Sequence, residues 1–180
     1  MSNQKIIPID QKKKGIKLAV SIVAAMFLVL LYCTIFRFSE QNGEESGALS
    51  HEVTTVIVDI VSDITHQNWS EEEKTQIISK WEHPVRKAAH FSEYAIMGIL
   101  LFIIWSPWFR KSWKFYVLLI LWVFVSAGAD EFHQTFVAQR SGNFGDVLID
   151  TSGGCFGLFI ATMVGRIWGN LHGRKSKRKS

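Results

Sequence analysis

His90 and Glu93 stand three residues apart, and uninterrupted apolar sequence begins at Tyr94 directly after them. At about 100° per residue, Arg86, His90, Glu93 and Met97 fall on one helical face. An imidazole beside a carboxylate can act as an acid–base pair or supply part of a divalent-cation site. His and Glu at this spacing often occur by chance, so the pair gains meaning only from company. That company comes from two more polar clusters at the ends of apolar runs. Asp130, Glu131 and Gln134 follow Phe115–Ala129, and Asp146 and Asp150 precede Thr151–Gly165. Asp130 and Gln134 share a face, with Glu131 about a quarter turn away. Asp146 and Asp150 share a face with Gly153, Gly157 and Ala161. The chain shows no nucleophile motif and no Gly-rich phosphate loop. Cys33 and Cys155 lie inside apolar runs and give neither a disulfide framework nor metal spacing.

The elements that must carry these groups are membrane spans. Of 180 residues, 48% are hydrophobic, and they are clumped rather than periodic. Leu18–Phe36 has 19 residues and no ionisable side chain except Tyr32 and Cys33, close to the ~20 needed to cross a bilayer. No small-residue cleavage site follows it, so it reads as a retained span rather than a signal peptide. The other three runs reach crossing length once their polar turns are included. The reading is an all-α integral membrane protein, a four-helix transmembrane bundle with an extracytoplasmic helical loop between spans 1 and 2. Its segments are a basic cytoplasmic N-terminus (1–17), span 1 (18–36), the helical loop (37–84), span 2 with a polar outer turn (85–109), a basic loop (110–114), span 3 (115–136), an outer turn (137–145), span 4 (146–168) and a basic tail (169–180).

Charge orients the spans. The segment through Lys17 has five Lys and one Asp, Ser106–Lys114 has three cations and no acid, and the tail from Arg166 has six cations and no acid. Arg37–Pro84 carries ten acids against three cations. Short cytoplasmic segments are enriched in Lys and Arg, and four spans put all three basic segments on one side. Both termini are therefore expected to be cytoplasmic, with the acidic loop and every polar cluster outside. The basic tail reads as an anchor near anionic lipid, not as a nucleic-acid site. Trp105, Trp108, Trp113 and Trp168 read as an inner aromatic belt.

Within the acidic loop, Ser50 is expected to cap a helix striped by Val53, Val56, Ile57, Ile60, Val61 and Ile64, and this stripe is expected to pack over the outer ends of the spans. Ser70 and Glu73 form a capping box for a second helix, which Pro84 is expected to close before a new helix starts at Val85. In span 4, Gly153, Gly157, Ala161 and Gly165 form a small-residue stripe of the kind that lets membrane helices approach closely. The stripe runs into Asp150 and Asp146, so these acids are expected to face other helices. Ser126–Ala129 places a similar small patch beside Asp130. Singly, each boundary charge could be a helix anchor. Three helices aiming acids and a histidine at one level make a polar pocket the stronger reading. His133 reads as an interface residue.

"RKAAHFSEY" followed by "DEFHQTFVAQRSGNFGDVLIDTSGG" closely resembles the VanZ-like family of bacterial membrane proteins, over roughly residues 36–161. Arg86, Lys87, His90, Glu93 and Tyr94 match its first motif. Asp130, Glu131, Gln134, Arg140, Asp146, Asp150 and Gly153 match its second. Before Arg140 the family commonly has Pro-Gly where this chain has Ala138-Gln139, a less constrained turn. The resemblance implies four spans in a bacterial cell membrane and a link to teicoplanin resistance. Two functions fit the residues, with the glycopeptide ligand implied by the resemblance. In one, the outer pocket binds a lipid headgroup, a cell-wall precursor or a glycopeptide, through Arg86, Lys87 and Arg140. In the other, the protein is a membrane-embedded hydrolase or transferase on a lipid-linked envelope substrate. Glu93 or Glu131 would then be the base and His90 the acid, or His90, Glu93 and the aspartates would hold a divalent cation. A small transporter fits less well, because no inverted repeat is evident.

Overall fold

The computed structural model describes residues 8–177 apart from Arg110, and the side chains of residues 8, 10–109 and 111–170. The expectations for residues 1–7, for Arg110 in the inner loop and for the end of the basic tail lie outside the described residues. Five helices make up the fold: α1 (Ile9–Ser39), α2 (Gly43–Thr65), α3 (Glu71–Trp105), α4 (Trp113–Gln134) and α5 (Phe144–Lys177), and no strand occurs among the described residues. Four of them, α1, α3, α4 and α5, are long and apolar enough to cross a membrane. Large apolar side chains such as Met26, Leu30, Leu118 and Phe159 are exposed on their outer faces. In a water-soluble protein this would be a liability. In a bilayer it is the surface that lipid covers.

Lipid supplies no hydrophobic force between helices, so the bundle must gain by close packing and hydrogen bonds. The most extensive interface is that of α3 with α5, and glycines make it. A Cβ added at Gly153 would run into the Phe91 carbonyl, one at Gly157 into the Ala95 carbonyl, and one at Gly98 into the Gly154 carbonyl. At the predicted Gly165 the contact is ordinary, 3.7 Å from the Phe102 ring, and Ala161 packs against the core. Gly98 completes the interface, and Gly154 makes room for Val123 of α4; neither was part of the predicted stripe. The Ser126–Ala129 patch is only partly a packing surface: Ala127 is fully buried, whereas Gly128 has nothing within 4 Å of an added Cβ. Polar side chains tie α1 to its neighbours. Ser21 Oγ donates to the Ile104 carbonyl (3.0 Å), Trp108 Nε1 donates to Ser21 Oγ (2.9 Å), and the Tyr32 and Ser126 hydroxyls lie 2.6 Å apart.

The region between α1 and α3 differs from expectation in three ways. First, α2 starts at Gly43 rather than at Ser50, because Asn42 and Glu45 form a full capping box there. Second, α3 runs through Pro84 without ending. Pro84 removes one helical N–H, but it is exposed and lies outside the apolar stretch. Contacts to α2 on both sides of it, Lys74 Nζ to Asp59 Oδ1 (2.8 Å) and Arg86 Nε to Ser50 Oγ (2.9 Å), hold the two halves in line. Third, the apolar stripe does not pack over the spans. α2 buries Ser46, Ser50, Thr54 and Val58 instead, a ridge of mostly small side chains against α3. Leu49, Val53, Val56, Ile57, Ile60, Val61 and Ile64 stay 40–73% exposed. The small ridge wins because it permits the closer approach that the Arg86 and Lys74 bonds require.

In the turn between α4 and α5, Gln139 takes φ 60°, a left-handed conformation that glycine adopts without strain. Its backbone abuts Gly43, whose N–H donates to the Ala138 carbonyl (3.3 Å), and its side chain donates to Glu44 (3.2 Å). These bonds to the start of α2 hold a turn that lacks glycine at its left-handed position.

Gly157→Leu is expected to abolish the folded, monodisperse species in mild detergent, whereas Gly128→Leu should leave it intact. Fluorescence-detected size-exclusion chromatography reads the difference.

Candidate functional site

The turn of α3 before Tyr94, the C-terminal end of α4 and the N-terminal end of α5 converge, as the face arithmetic requires. Met97, one turn below Glu93, is fully buried, so the Arg86–His90–Glu93 face points into the bundle. His90 Nδ1 lies 3.7 Å from Glu93 Oε2, both side chains being largely buried, and has no hydrogen-bond partner. On α4, Asp130, Glu131 and Gln134 are all buried. Gln134 Nε2 donates to Asp130 Oδ2 (3.2 Å), and Glu131 Oε2 accepts from the Asn143 backbone N–H (2.8 Å). That second bond pins the turn before α5 onto the end of α4.

Asp150 is the most buried acid, at 1% exposed, and neither of its carboxylate oxygens has a hydrogen-bond partner. Asp130, Glu131, Glu93 and Lys87 lie within its electrostatic reach. An ionised carboxylate in such a place must be compensated, so the site is built for a positive partner: a proton, the Lys87 ammonium or part of a ligand. Lys87 is committed elsewhere, in an ion pair with Asp146 across α3 and α5.

The other cations do not join the acids directly. Arg86 donates from Nε to Ser50 Oγ (2.9 Å) and from Nη2 to Glu82 Oε1 (3.1 Å). Arg140, in the turn after α4, donates to the Phe38 carbonyl at the end of α1 (3.1 Å). Burial, and then the neighbouring Arg86, push its guanidinium below its ordinary value, while Asp130 and Glu131 oppose the shift. A guanidinium starts so high that it stays charged. Arg86 and Arg140 both line a cavity of about 300 Å³ with His90 and Glu93, walled by Phe38, Leu49, Val53, Val85 and Ala89. A larger apolar cavity of about 410 Å³ lies by Trp105, Phe115 and Trp122, with only Ser112 and Lys114 as polar aliphatic lining. It carries no chemistry.

The structure therefore divides the predicted residues into three groups. Arg86, Arg140, His90 and Glu93 share the cavity, while Asp130, Glu131, Gln134 and Asp150 are buried acids and amide beyond it. Lys87 and Asp146 form a separate pair. Tyr94 is 1% exposed and belongs to the hydrophobic core, not to the cavity wall. His133 stacks on Phe36 with ring centroids 4.7 Å apart, an interface role as expected. Among the described residues no three His, Cys, Asp or Glu side chains are placed to hold a metal ion. His90 and Glu93 are two donors without a third, so no step is assigned to a metal.

Four participants were not legible in the sequence. Ser50 orients Arg86 rather than starting a helix, Phe38 holds Arg140 through its carbonyl, and Leu49 and Val53 wall the cavity. Asn143 was legible in part: its Oδ1 accepts from the Gly145 N–H (2.9 Å), as an Asn before a helix often does.

Asp150 has no partner for either oxygen, and Asp150→Asn keeps its size while abolishing any ionised form, the costly one in a buried place. It is expected to leave the melting temperature of the ligand-free protein unchanged or to raise it by a few degrees. A fall of similar size in a thermal melt of the detergent-purified protein would show that the carboxylate has a partner of its own.

No curated protein and no solved structure matches the chain. The family model described as VanZ/LLP1 matches residues 24–165, which takes in the second half of α1, all of α2, α3 and α4, and α5 as far as Gly165. With its four apolar helices, the chain is a multi-pass membrane protein that belongs to the VanZ/LLP1 family.

Proposed function

We propose that this protein works at the outer face of a bacterial cell membrane, where its polar cavity binds a lipid headgroup, a lipid-linked cell-wall precursor or part of a glycopeptide, and so contributes to teicoplanin-type resistance. One observation carries the reading. Arg86 and Arg140, brought from separate elements, line the same cavity as His90 and Glu93 and are held there by Ser50, Glu82 and the Phe38 carbonyl. Guanidiniums so fixed recognise phosphate or carboxylate with two donors at once. The outward placement rests on the charge of the segments, with the acidic loop outside and the basic segments inside.

A second reading, a membrane-embedded hydrolase or transferase on a lipid-linked substrate, draws on the His90–Glu93 approach of 3.7 Å. In it Glu93 or Glu131 takes a proton from an attacking water and His90 delivers one to the leaving group. Binding is the better supported of the two, because Arg86 and Arg140 are held in place at the cavity, while the Ser50 hydroxyl there is engaged with Arg86 and the Ser46 carbonyl rather than with a base.

Glu131→Gln keeps an oxygen for the Asn143 N–H and removes only the charge, and His90→Ala leaves every apolar run intact. In a teicoplanin-sensitive Gram-positive host, wild type is expected to raise the inhibitory concentration. Both variants should fail to do so at matched membrane abundance. Protection by both variants would reduce the cluster to a structural role. Turnover of a lipid-linked substrate by purified wild type, lost in both, would favour the second reading.

A further inference from the structure

The cavity carries both signs of charge and opens beside an apolar surface, and these features together select a ligand. We infer that it takes the headgroup of a phospholipid bearing a phosphodiester and a primary ammonium, entering sideways from the outer leaflet. This rests on the reading of the cavity as a binding site and names the ligand class.

The guanidiniums supply the phosphate side. A guanidinium has five N–H donors. The bonds of Arg86 to Ser50 and Glu82 use Nε and one Nη2 hydrogen, and the bond of Arg140 to Phe38 uses one Nη2 hydrogen. Each therefore brings further donors while its position is fixed by the bonds already made. Glu93 supplies the ammonium side. It lines the same cavity, its near neighbour is His90 at 3.7 Å, and Asp130 stands close enough to act on it electrostatically. A purely anionic ligand would gain the arginines but meet Glu93 with Asp130 behind it. A headgroup with both signs satisfies both walls.

The apolar side identifies the source. Phe38, Leu49 and Val53 line the cavity and are also exposed. Phe38 belongs to the outer end of span α1, and Leu49 and Val53 begin the apolar stripe of α2. An acyl chain leaving the cavity over these three side chains stays in contact with apolar surface and runs onto the lipid-facing side of α1. The volume of about 300 Å³ is at the small end for ligand pockets, which suits a headgroup with its chains left outside.

The test is ligand retention by the purified full chain, read by native mass spectrometry after titration with phosphatidylethanolamine, phosphatidylcholine, phosphatidylglycerol, soluble phosphoethanolamine, inorganic phosphate and teicoplanin. Phosphatidylethanolamine is expected to bind about tenfold or more tightly than phosphatidylcholine or phosphatidylglycerol, the worth of one charge-assisted hydrogen bond. Arg140→Gln and Glu93→Gln should each erase that preference, and Arg140→Lys should restore part of it. Leu49→Asn should weaken phosphatidylethanolamine but leave soluble phosphoethanolamine unchanged. The wild-type comparison stands by itself if a variant does not fold. Preference for phosphatidylglycerol, or equal binding of phosphoethanolamine or inorganic phosphate, overturns the inference. Absence of any lipid preference together with Arg140-dependent binding of teicoplanin overturns the ligand class and leaves the cavity reading intact. Absence of Arg140-dependent binding of all these ligands overturns both.

Discussion

The backbone contact between α3 and α5 is the interaction on which the rest depends. Gly153 and Gly157 let α5 meet the Phe91 and Ala95 carbonyls of α3. His90 adjoins Phe91, and Asp150 lies three residues before Gly153, so one contact delivers the imidazole and the acid to the same level. In lipid this geometry has few substitutes, since helix association there depends on close packing rather than on expulsion of water. Larger side chains would separate the helices and leave Asp150 facing hydrocarbon, where an ionised group is costly.

Around that contact the polar groups hold the elements together. Lys87 with Asp146 closes the α3–α5 interface at the N-terminal end of α5. Glu131 fastens the turn before α5 to the end of α4, and the Ala138 carbonyl with Gly43, and Gln139 with Glu44, fasten the same turn to α2. These attachments place Arg140 opposite Arg86. The cavity is thus assembled from α1, α2, α3 and a turn, none of which forms it alone.

The spans and the polar levels were legible because apolar length and charge asymmetry are properties of sequence. The face of His90 and Glu93 and the stripe of Gly153 and Gly157 were legible for the same reason, as helical periodicity is local. What escaped depended on competition between contacts. The apolar residues of α2 outshine its serines in any hydropathy pattern, yet Ser46, Ser50 and Thr54 are buried with Val58 while the stripe stays exposed, since small side chains allow the Arg86–Ser50 bond. Pro84 reads as a stop, and only the α2 contacts on either side explain its passage inside α3. Gly98 and Gly154 lie off the predicted stripe and become visible only when the partner helix is in place. Tyr94 sits in the first motif beside Glu93, but its large ring belongs to the core.

The proposed binding role requires that the cavity and α2 face the outside of the cell. A single cysteine at exposed Ala48, in a chain with Cys33 and Cys155 replaced by serine, can be challenged in intact cells with a membrane-impermeant maleimide, with exposed Lys111 replaced by cysteine as the opposite-side control. With the cavity outside, Ala48→Cys is labelled in intact cells and Lys111→Cys only after the membrane is opened. Labelling of Lys111→Cys in intact cells, with Ala48→Cys protected until lysis, would contradict it and place the cavity on the cytoplasmic side.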